Sequence, residues 1–283
     1  MLPLGCWGPT SSPETLLVGR DERSQWYCAT MRLRYACAMR ILALYDIHGN
    51  LDALEAVLAD PRVRDADAIV VGGDVVPGAF SGECLSLLRG HGLPVHWVRG
   101  NGEREVAEAA ANGIDAESVA PDDLARLTAA LTAAALGAEA SSWLGALPTT
   151  LELDGVLYCH ATPRRDDEML TRISPAERWA EALGGVEHPL VVGGHTHQQD
   201  DRLVGSVRFV NAGSVGLPYE GDPAARWAWI SDGTPELRRT AYDGVAAGRR
   251  MVAAGWPDQR SIDGGLIDPV DPMFVTKLFE GAD

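Results

Sequence analysis

The chain reads as an α/β protein, on three observations. Five short apolar runs have the length of buried strands: Ile41–Tyr45, Ile69–Val71, Val95–Val98, Val156–Cys159 and Leu190–Val192. Helical apolar spacing fills much of the sequence between them. Each run also stops at residues able to bind a metal. In open α/β sheets, ligands sit outside the carboxyl ends of the strands, so five such endings predict one shared site.

The first run ends in Asp46-Ile-His48-Gly-Asn50. Asp46 and His48 are two residues apart, which in extended backbone turns both to one side. Leu51, Leu54, Val57 and Leu58 then share a helical face, with Asn50 as N-cap, and Asp60-Pro61 ends the helix. The second run meets Gly73-Asp74. A short helix is predicted over Gly82–Arg89, stopped by Gly90 and Gly92, before the third run reaches Gly100-Asn101. Residues 103–146, rich in Ala, Glu and Leu, predict two or three helices broken near Asn112-Gly113 and at Pro121, a layer or cap beside the sheet.

At Thr149 the period returns to strand. Thr149–Leu153, a turn at Asp154-Gly155, and Val156–His160 form a hairpin signal. Ser174-Pro175-Ala176-Glu177 has the form of a capping box with Pro at the first helical position, opening a helix to about Leu183. The fifth run meets Gly194-His195-Thr196-His197. Leu203–Val210, Arg226–Ile230 and Leu237–Ala241 read as later strands, Val245–Ala254 as a helix and the rest as an irregular tail. Residues 1–38 show no period and read as a disordered leader or an over-long start, since Met39-Arg-Ile-Leu begins a strand cleanly. The remainder, 39–283, reads as a single domain.

The bulk numbers narrow the function classes. A formal net charge of −16 disfavours general nucleic-acid or anionic-membrane binding. The five cysteines are an odd number without C-x-x-C spacing, which fits a reducing compartment and neither a disulfide framework nor a zinc ribbon. No run approaches the ~20 apolar residues of a membrane span, and no signal peptide is evident. The expected location is the cytoplasm.

The strand-end residues are Asp46, His48, Asp74, Asn101, His160, His195 and His197, which include four of the seven histidines. His91, His96 and His188 fall outside the pattern. Singly, each strand-end residue has a structural reading: Asp74 caps a turn, Asn101 takes a left-handed turn, His160 is a satisfied core histidine. Together, seven mixed N/O ligands exceed the needs of one zinc ion and suit two adjacent cations with a bridging carboxylate.

In order, Asp46-x-His48, Gly73-Asp74, Gly100-Asn101, His160 and Gly194-His195-x-His197 resemble the motifs of the calcineurin-like metallophosphoesterases, especially the bacterial YfcE-type and diadenosine-tetraphosphatase-related group. Asn211-Ala-Gly213-Ser214-Val-Gly216-x-Pro218 also resembles that group. The resemblance spans about residues 39–243. It implies a four-layer α/β/β/α sandwich with two mixed sheets. It implies that Asp46, His48 and His197 hold one metal, that Asn101, His160 and His195 hold the other, and that Asp74 bridges them. It further implies in-line attack on phosphorus by a metal-bound hydroxide, with Asp74, Asn101 and His160 central to catalysis. The expected metals are two divalent ions, Mn²⁺ first, with Fe, Zn²⁺ or Ni²⁺ as alternatives.

Many phosphatases of this superfamily carry His after the Gly-Asn, as the proton donor to the leaving group. This chain has Gly102 there, followed by Glu103, which reads as a solvated carboxylate at a helix start. The departure favours a phosphodiesterase, or an enzyme for activated anhydrides, over an alkyl phosphomonoesterase. The alternatives are a phosphomonoesterase or protein phosphatase, and a scaffold with this fold and no turnover. The expected partner is a small phosphate ester or nucleotide-type substrate, with oligomerisation open. Arg99, Arg104, Arg164 and Arg165 flank the ligand motifs and are candidate phosphate contacts. Asn101 and the Gly213-Ser214 backbone are further candidates for holding substrate.

Overall fold

Strand β1 (Arg40–Leu44) shows how the described residues, 39–281 of the computed structural model, are layered. Its side chains alternate: Ile41 and Ala43 enter one apolar cluster, Leu42 and Leu44 another. All four are fully buried, so the strand is covered on both faces, and this is why it reads as a continuous apolar run. The expectation for residues 1–38 lies outside the described residues.

β1 pairs in parallel with β2 (Ala68–Val71), and β2 in parallel with β3 (Val95–Trp97). The second sheet is built on β4 (Thr150–Leu153), β5 (Val156–Cys159), β6 (Leu190–Gly193), β7 (Asp200–Val204) and β8 (Val207–Asn211), in the order β4-β5-β6-β8-β7. Its three central strands are parallel and its edges antiparallel. β9 (Ala225–Ser231) and β10 (Thr234–Thr240) return to the first sheet, giving the order β10-β9-β1-β2-β3. Both sheets have five strands and are mixed.

The sheets meet face to face through Ile41, Tyr45, Val70, Tyr158, Val192 and Ile230. On the outer face of the first sheet lie α1 (Leu51–Leu58), α2 (Ser81–Arg89), α3 (Asn101–Ala111) and α4 (Leu124–Gly145), which bury Leu54, Leu88, Val106 and Leu144. On the outer face of the second lies α5 (Ala176–Ala182), with Trp179 packed at a tilt against Phe209. The result is the expected α/β/β/α sandwich.

Three local readings are corrected. Leu203–Val210 is not one strand: Gly205, at φ 61°, makes a two-residue turn with Ser206 and separates β7 from β8. The capping box at Ser174 does not form, because Pro175 occupies the cap position and the Ser174 hydroxyl donates to Glu280. The tail is not irregular. After α6 (Gly244–Ala253) come α7 (Gln259–Ile262), which runs into a π turn over Asp263–Ile267, and α8 (Pro272–Phe279). Asp271 caps α8 by accepting from the Met273 and Phe274 N–H groups, with Pro272 in the first turn.

Glu280 fastens the end of α8 to the body through Thr171, Ser174 and Arg178. No described helix is long and apolar enough to cross a membrane.

Candidate metal centre

The loops after β1, β2, β3, β5 and β6 meet at one edge of the sandwich, where the backbone sews them together. His48 N–H donates to the Asp74 carbonyl at 2.9 Å and Gly194 N–H to the His160 carbonyl at 2.7 Å. Asp46, His48, Asp74, His195 and His197 all have φ between 45° and 70°. Only two other non-glycine residues among those described, Asp154 and Asp232, share that left-handed region. Such strain persists where the surroundings enforce it and gathers at functional sites. It also corrects the geometry expected for Asp46 and His48: they converge through left-handed turns, not through extended backbone.

Two triads form at this edge. One ligand atom from each of Asp46, His48 and His197 lies within 4.8 Å of the others, and the same holds for Asp74, His160 and His195. The triads abut. His160 Nε2 is 3.4 Å from Asp74 Oδ2 and 3.7 Å from Asp46 Oδ1, and His48 Nε2 is 3.7 Å from Asp74 Oδ2. Asp74 Oδ2 thus faces imidazoles of both groups. Asn101, at the start of α3, opens onto the same cleft.

The hydrogen bonds behind these side chains present acceptors to the cleft. The Nδ1 atoms of His48, His160 and His197 contact the carbonyls of Pro77, Gly72 and Leu217 at 3.2, 3.0 and 2.7 Å. Each Nδ1 must therefore carry the proton, which leaves the Nε2 lone pair facing inward. Asp46 Oδ2 accepts from His195 N–H and Asp74 Oδ1 from Gly102 N–H. Asp46 Oδ1, Asn101 Oδ1, His160 Nε2 and His195 Nε2 are buried without a hydrogen-bond partner. Buried polar atoms are costly when unpaired, about 1–3 kcal/mol each. Four unpartnered buried polar atoms converging beside two carboxylates fit divalent cations, which would displace the proton the His160 imidazole otherwise holds.

Charge balance makes the same case. Burial and neighbouring Asp74 push the Asp46 carboxyl up to about 8. Burial alone would lower the His160 imidazole, but Asp74 and Asp46 carry it to about 10. Burial would also raise Asp74, yet the imidazoles of His160, His48 and His195 hold it well below the usual range. His195 falls to about 4, and His48 and His197 are also lowered, chiefly by burial. Without a cation the cluster recruits protons to offset its carboxylates.

Glu103 is not the solvated carboxylate its helix-start position suggests. It is buried, and its carboxylate accepts four backbone N–H groups: Val75 and Val76 on Oε1, Asp74 and Gly100 on Oε2. It binds the Asp74 loop to the Asn101 loop. The signal was present as a Glu at the third helical position, where it reaches back to the cap N–H; its burial was not legible. Gly102 is packed as tightly, since a Cβ there would lie 2.1 Å from the Val76 carbonyl oxygen and 2.9 Å from Pro77 Cδ. The position has no room for an imidazole.

The other candidates fall outside the cleft lining. Ser214 is fully buried; its hydroxyl donates to the Asp46 carbonyl and accepts from Leu217 N–H, so it braces the first ligand loop. Arg99, Arg104, Arg164 and Arg165 line a separate cavity of about 280 Å³ with Asp166 and Asp167. There Arg164 pairs with Glu168, Arg165 with Asp167 and Arg104 with Asp166. The motif residues His48, Asp74, Asn101, His195 and His197 line the metal cleft, of about 250 Å³. Its far wall comes from residues no motif marked, among them Tyr219, Trp256, Asp258 and Phe279.

The family described as the calcineurin-like phosphoesterase superfamily domain matches residues 39–230. The crystal structure of a metallophosphoesterase from Sphaerobacter thermophilus is 28% identical, with a TM-score of 0.63, over 82% of this chain and 100% of that one. Hypothetical protein PH1004 from Pyrococcus horikoshii is 19% identical, with a TM-score of 0.67, over 82% of this chain and 99% of that one. The phosphoesterase Yfce from E. coli is 20% identical over 72% of this chain and 100% of that one, with a TM-score of 0.40. The comparison with curated proteins finds no match.

Proposed function

Because the chain belongs to the calcineurin-like phosphoesterase superfamily, we propose that it is a dinuclear metal-dependent phosphodiesterase. The observation that carries this reading is the pair of abutting donor triads with orphaned, inward-facing acceptors. Asp46, His48 and His197 would hold one cation and His160, His195 and Asn101 the other, with Asp74, which faces imidazoles of both groups, shared between them. The two cations supply charge neutralisation at the phosphate and activation of the attacking oxygen. Manganese is the first assignment, with iron, zinc and nickel as alternatives that this mixed N/O donor set accepts.

The protein's own groups set the rest. The carbonyls of Pro77, Gly72 and Leu217 hold the imidazoles in the tautomer that binds metal. Glu105 accepts from Asn101 Nδ2 at 3.3 Å, which leaves Asn101 Oδ1 for the second cation. Gly102 supports the diester over the monoester. An alkyl monoester needs a proton for its leaving oxygen, and no imidazole fits where the superfamily's donor stands. A diester with a good leaving group is less dependent on that proton.

The test is hydrolysis of bis-p-nitrophenyl phosphate against p-nitrophenyl phosphate, with added Mn²⁺ and after chelation. Mn²⁺-dependent diester cleavage well above monoester cleavage is expected. Preference for the monoester would overturn the diester assignment. Protein with two bound metals and no activity on either substrate would overturn the enzyme assignment and leave a scaffold.

A further inference from the structure

The segment from Trp256 to Phe279 lies beyond the region matched by the family, residues 39–230, yet it reaches the metal cleft. Trp256, Asp258, Ser261 and Phe279 line that cleft together with the ligands themselves. The segment is referenced rigidly to the ligand loops. Gln198, next to His197, donates to the Pro272 carbonyl at 2.8 Å and accepts from the Thr276 hydroxyl at 2.7 Å. Glu280 closes the far end on Thr171, Ser174 and Arg178. α8 is thus fixed by hydrogen bonds to a residue adjoining a candidate ligand, and Trp256, at the other end of the segment, packs in the cluster that contains Leu217.

The surface it presents is aromatic. Tyr219 stacks on the His197 ring at 5.1 Å between centroids with 12° between planes. Phe279 meets Tyr219 edge-on at 6.1 Å. Trp256, with Leu217 and Met169, continues the apolar lining. Aromatic faces favour flat rings in offset or edge-on packing, beyond the simple burial of area.

The charged groups on the cleft indicate what the wall does not hold. No Arg or Lys is among the described residues that line it; besides the ligands, its ionisable groups include Glu105 and Asp258. The neighbouring arginines face their own cavity and are paired with Asp166, Asp167 and Glu168. A second phosphate inside the cleft would meet Glu105 and Asp258 with no guanidinium among the lining residues; Arg260 lines the adjoining cavity, which shares Tyr219, Asp258, Ser261 and Phe279.

We propose that the Trp256–Phe279 segment is the substrate-selecting wall of the metal cleft and that it holds a flat apolar ring carried by a singly charged phosphodiester. The proposal rests on the phosphodiesterase reading above and names the substrate class for that site. Trp256 and Phe279 determine specificity; the chemistry stays with the metal ligands.

The test separates binding from turnover. Diphenylphosphinate and dimethylphosphinate are both monoanions that mimic a diester and contain no cleavable P–O–C bond. Their affinities for the full-length Mn²⁺-loaded protein are measured by calorimetry. Diphenylphosphinate should bind at least tenfold more tightly. Trp256→Ala and Phe279→Ala should each reduce that ratio to threefold or less, and Phe279→Leu, which keeps apolar volume, should fall between. Two bound metals per chain and an unchanged thermal midpoint are the controls for folding. In turnover of bis-p-nitrophenyl phosphate the alanine variants should raise KM more than they lower kcat. A wild-type ratio near one, or a ratio unchanged in both alanine variants, would overturn the wall. A high ratio lost in those variants, without diester cleavage by the wild type, would keep the wall and overturn the phosphodiesterase reading.

Discussion

Replacing Glu103 with Gln exchanges one atom and should cost more than most surface deletions. The carboxylate offers two oxygens, and each receives two backbone N–H groups, at 2.8 Å from Asp74, Val75 and Gly100 and at 3.3 Å from Val76. An amide offers one oxygen and one NH₂. In either orientation the NH₂ faces two N–H donors, and two buried donors lose their acceptor. At about 1–3 kcal/mol for each unsatisfied buried group, the loss is about 2–6 kcal/mol. A domain of this size loses roughly 2–4 °C of midpoint per kcal/mol, so the thermal midpoint should fall by roughly 10 °C. The loops that move carry Asp74 and Asn101, so Mn²⁺ affinity should drop about 10–100-fold, as for other groups that orient metal ligands. Scanning calorimetry on metal-free protein and titration calorimetry with Mn²⁺ measure both effects. A Glu103→Gln protein with its midpoint within about 2 °C of wild type and unchanged Mn²⁺ affinity would refute the assignment of Glu103 as the tie between the two loops.

Two further outcomes follow from the same geometry. Gly102→His should not create a monoesterase, because its Cβ starts 2.1 Å from the Val76 carbonyl oxygen. It should instead displace the Gly102 N–H that supports Asp74 and lower Mn²⁺ affinity, with Gly102→Ala giving most of the same loss; increased cleavage of p-nitrophenyl phosphate by Gly102→His would contradict this. Mn²⁺ binding at pH 7 should release protons, since His160, raised to about 10, and Asp46, raised to about 8, both hold protons in the metal-free protein. The linkage sign agrees for both. The stability His160 contributes is complete below its ordinary value near 6.5 and is lost as pH rises through about 10. The ionisation of Asp46 costs stability as pH rises from its ordinary value near 4 through about 8. Above about pH 6.5, where the lowered His48, His195 and His197 are neutral in both states, the metal-free protein should therefore weaken with rising pH, and Mn²⁺ should raise its midpoint more at pH 9 than at pH 6, while affinity and activity fall in acid. Titration heats independent of the buffer's ionisation enthalpy would contradict the proton release.

The parts of this protein that could be read in its sequence are those where one residue suffices to carry the signal. β1 is buried on both faces, so its apolar run is unbroken, and it ends where Asp46 must. Five such endings in order locate a common edge, since the parallel strands point their carboxyl ends together. What could not be read depends on a partner far along the chain. Glu103 looks like any first-turn carboxylate until the Asp74 loop folds over it. Ser214 resembles an anion-binding turn until Asp46 and Leu217 take its hydroxyl. Arg164 sits four residues from His160 yet faces another cavity, because Glu168 holds it there. The aromatic wall is the extreme case. Tyr219 and Phe279 are sixty residues apart and follow no metal-ligand spacing, and only the docking of α8 on Gln198 brings the second ring to the first. α8 itself lies in the stretch expected to be an irregular tail. The candidate ligands are thus encoded locally by strand endings, while the aromatic wall proposed to select substrate is encoded by long-range packing.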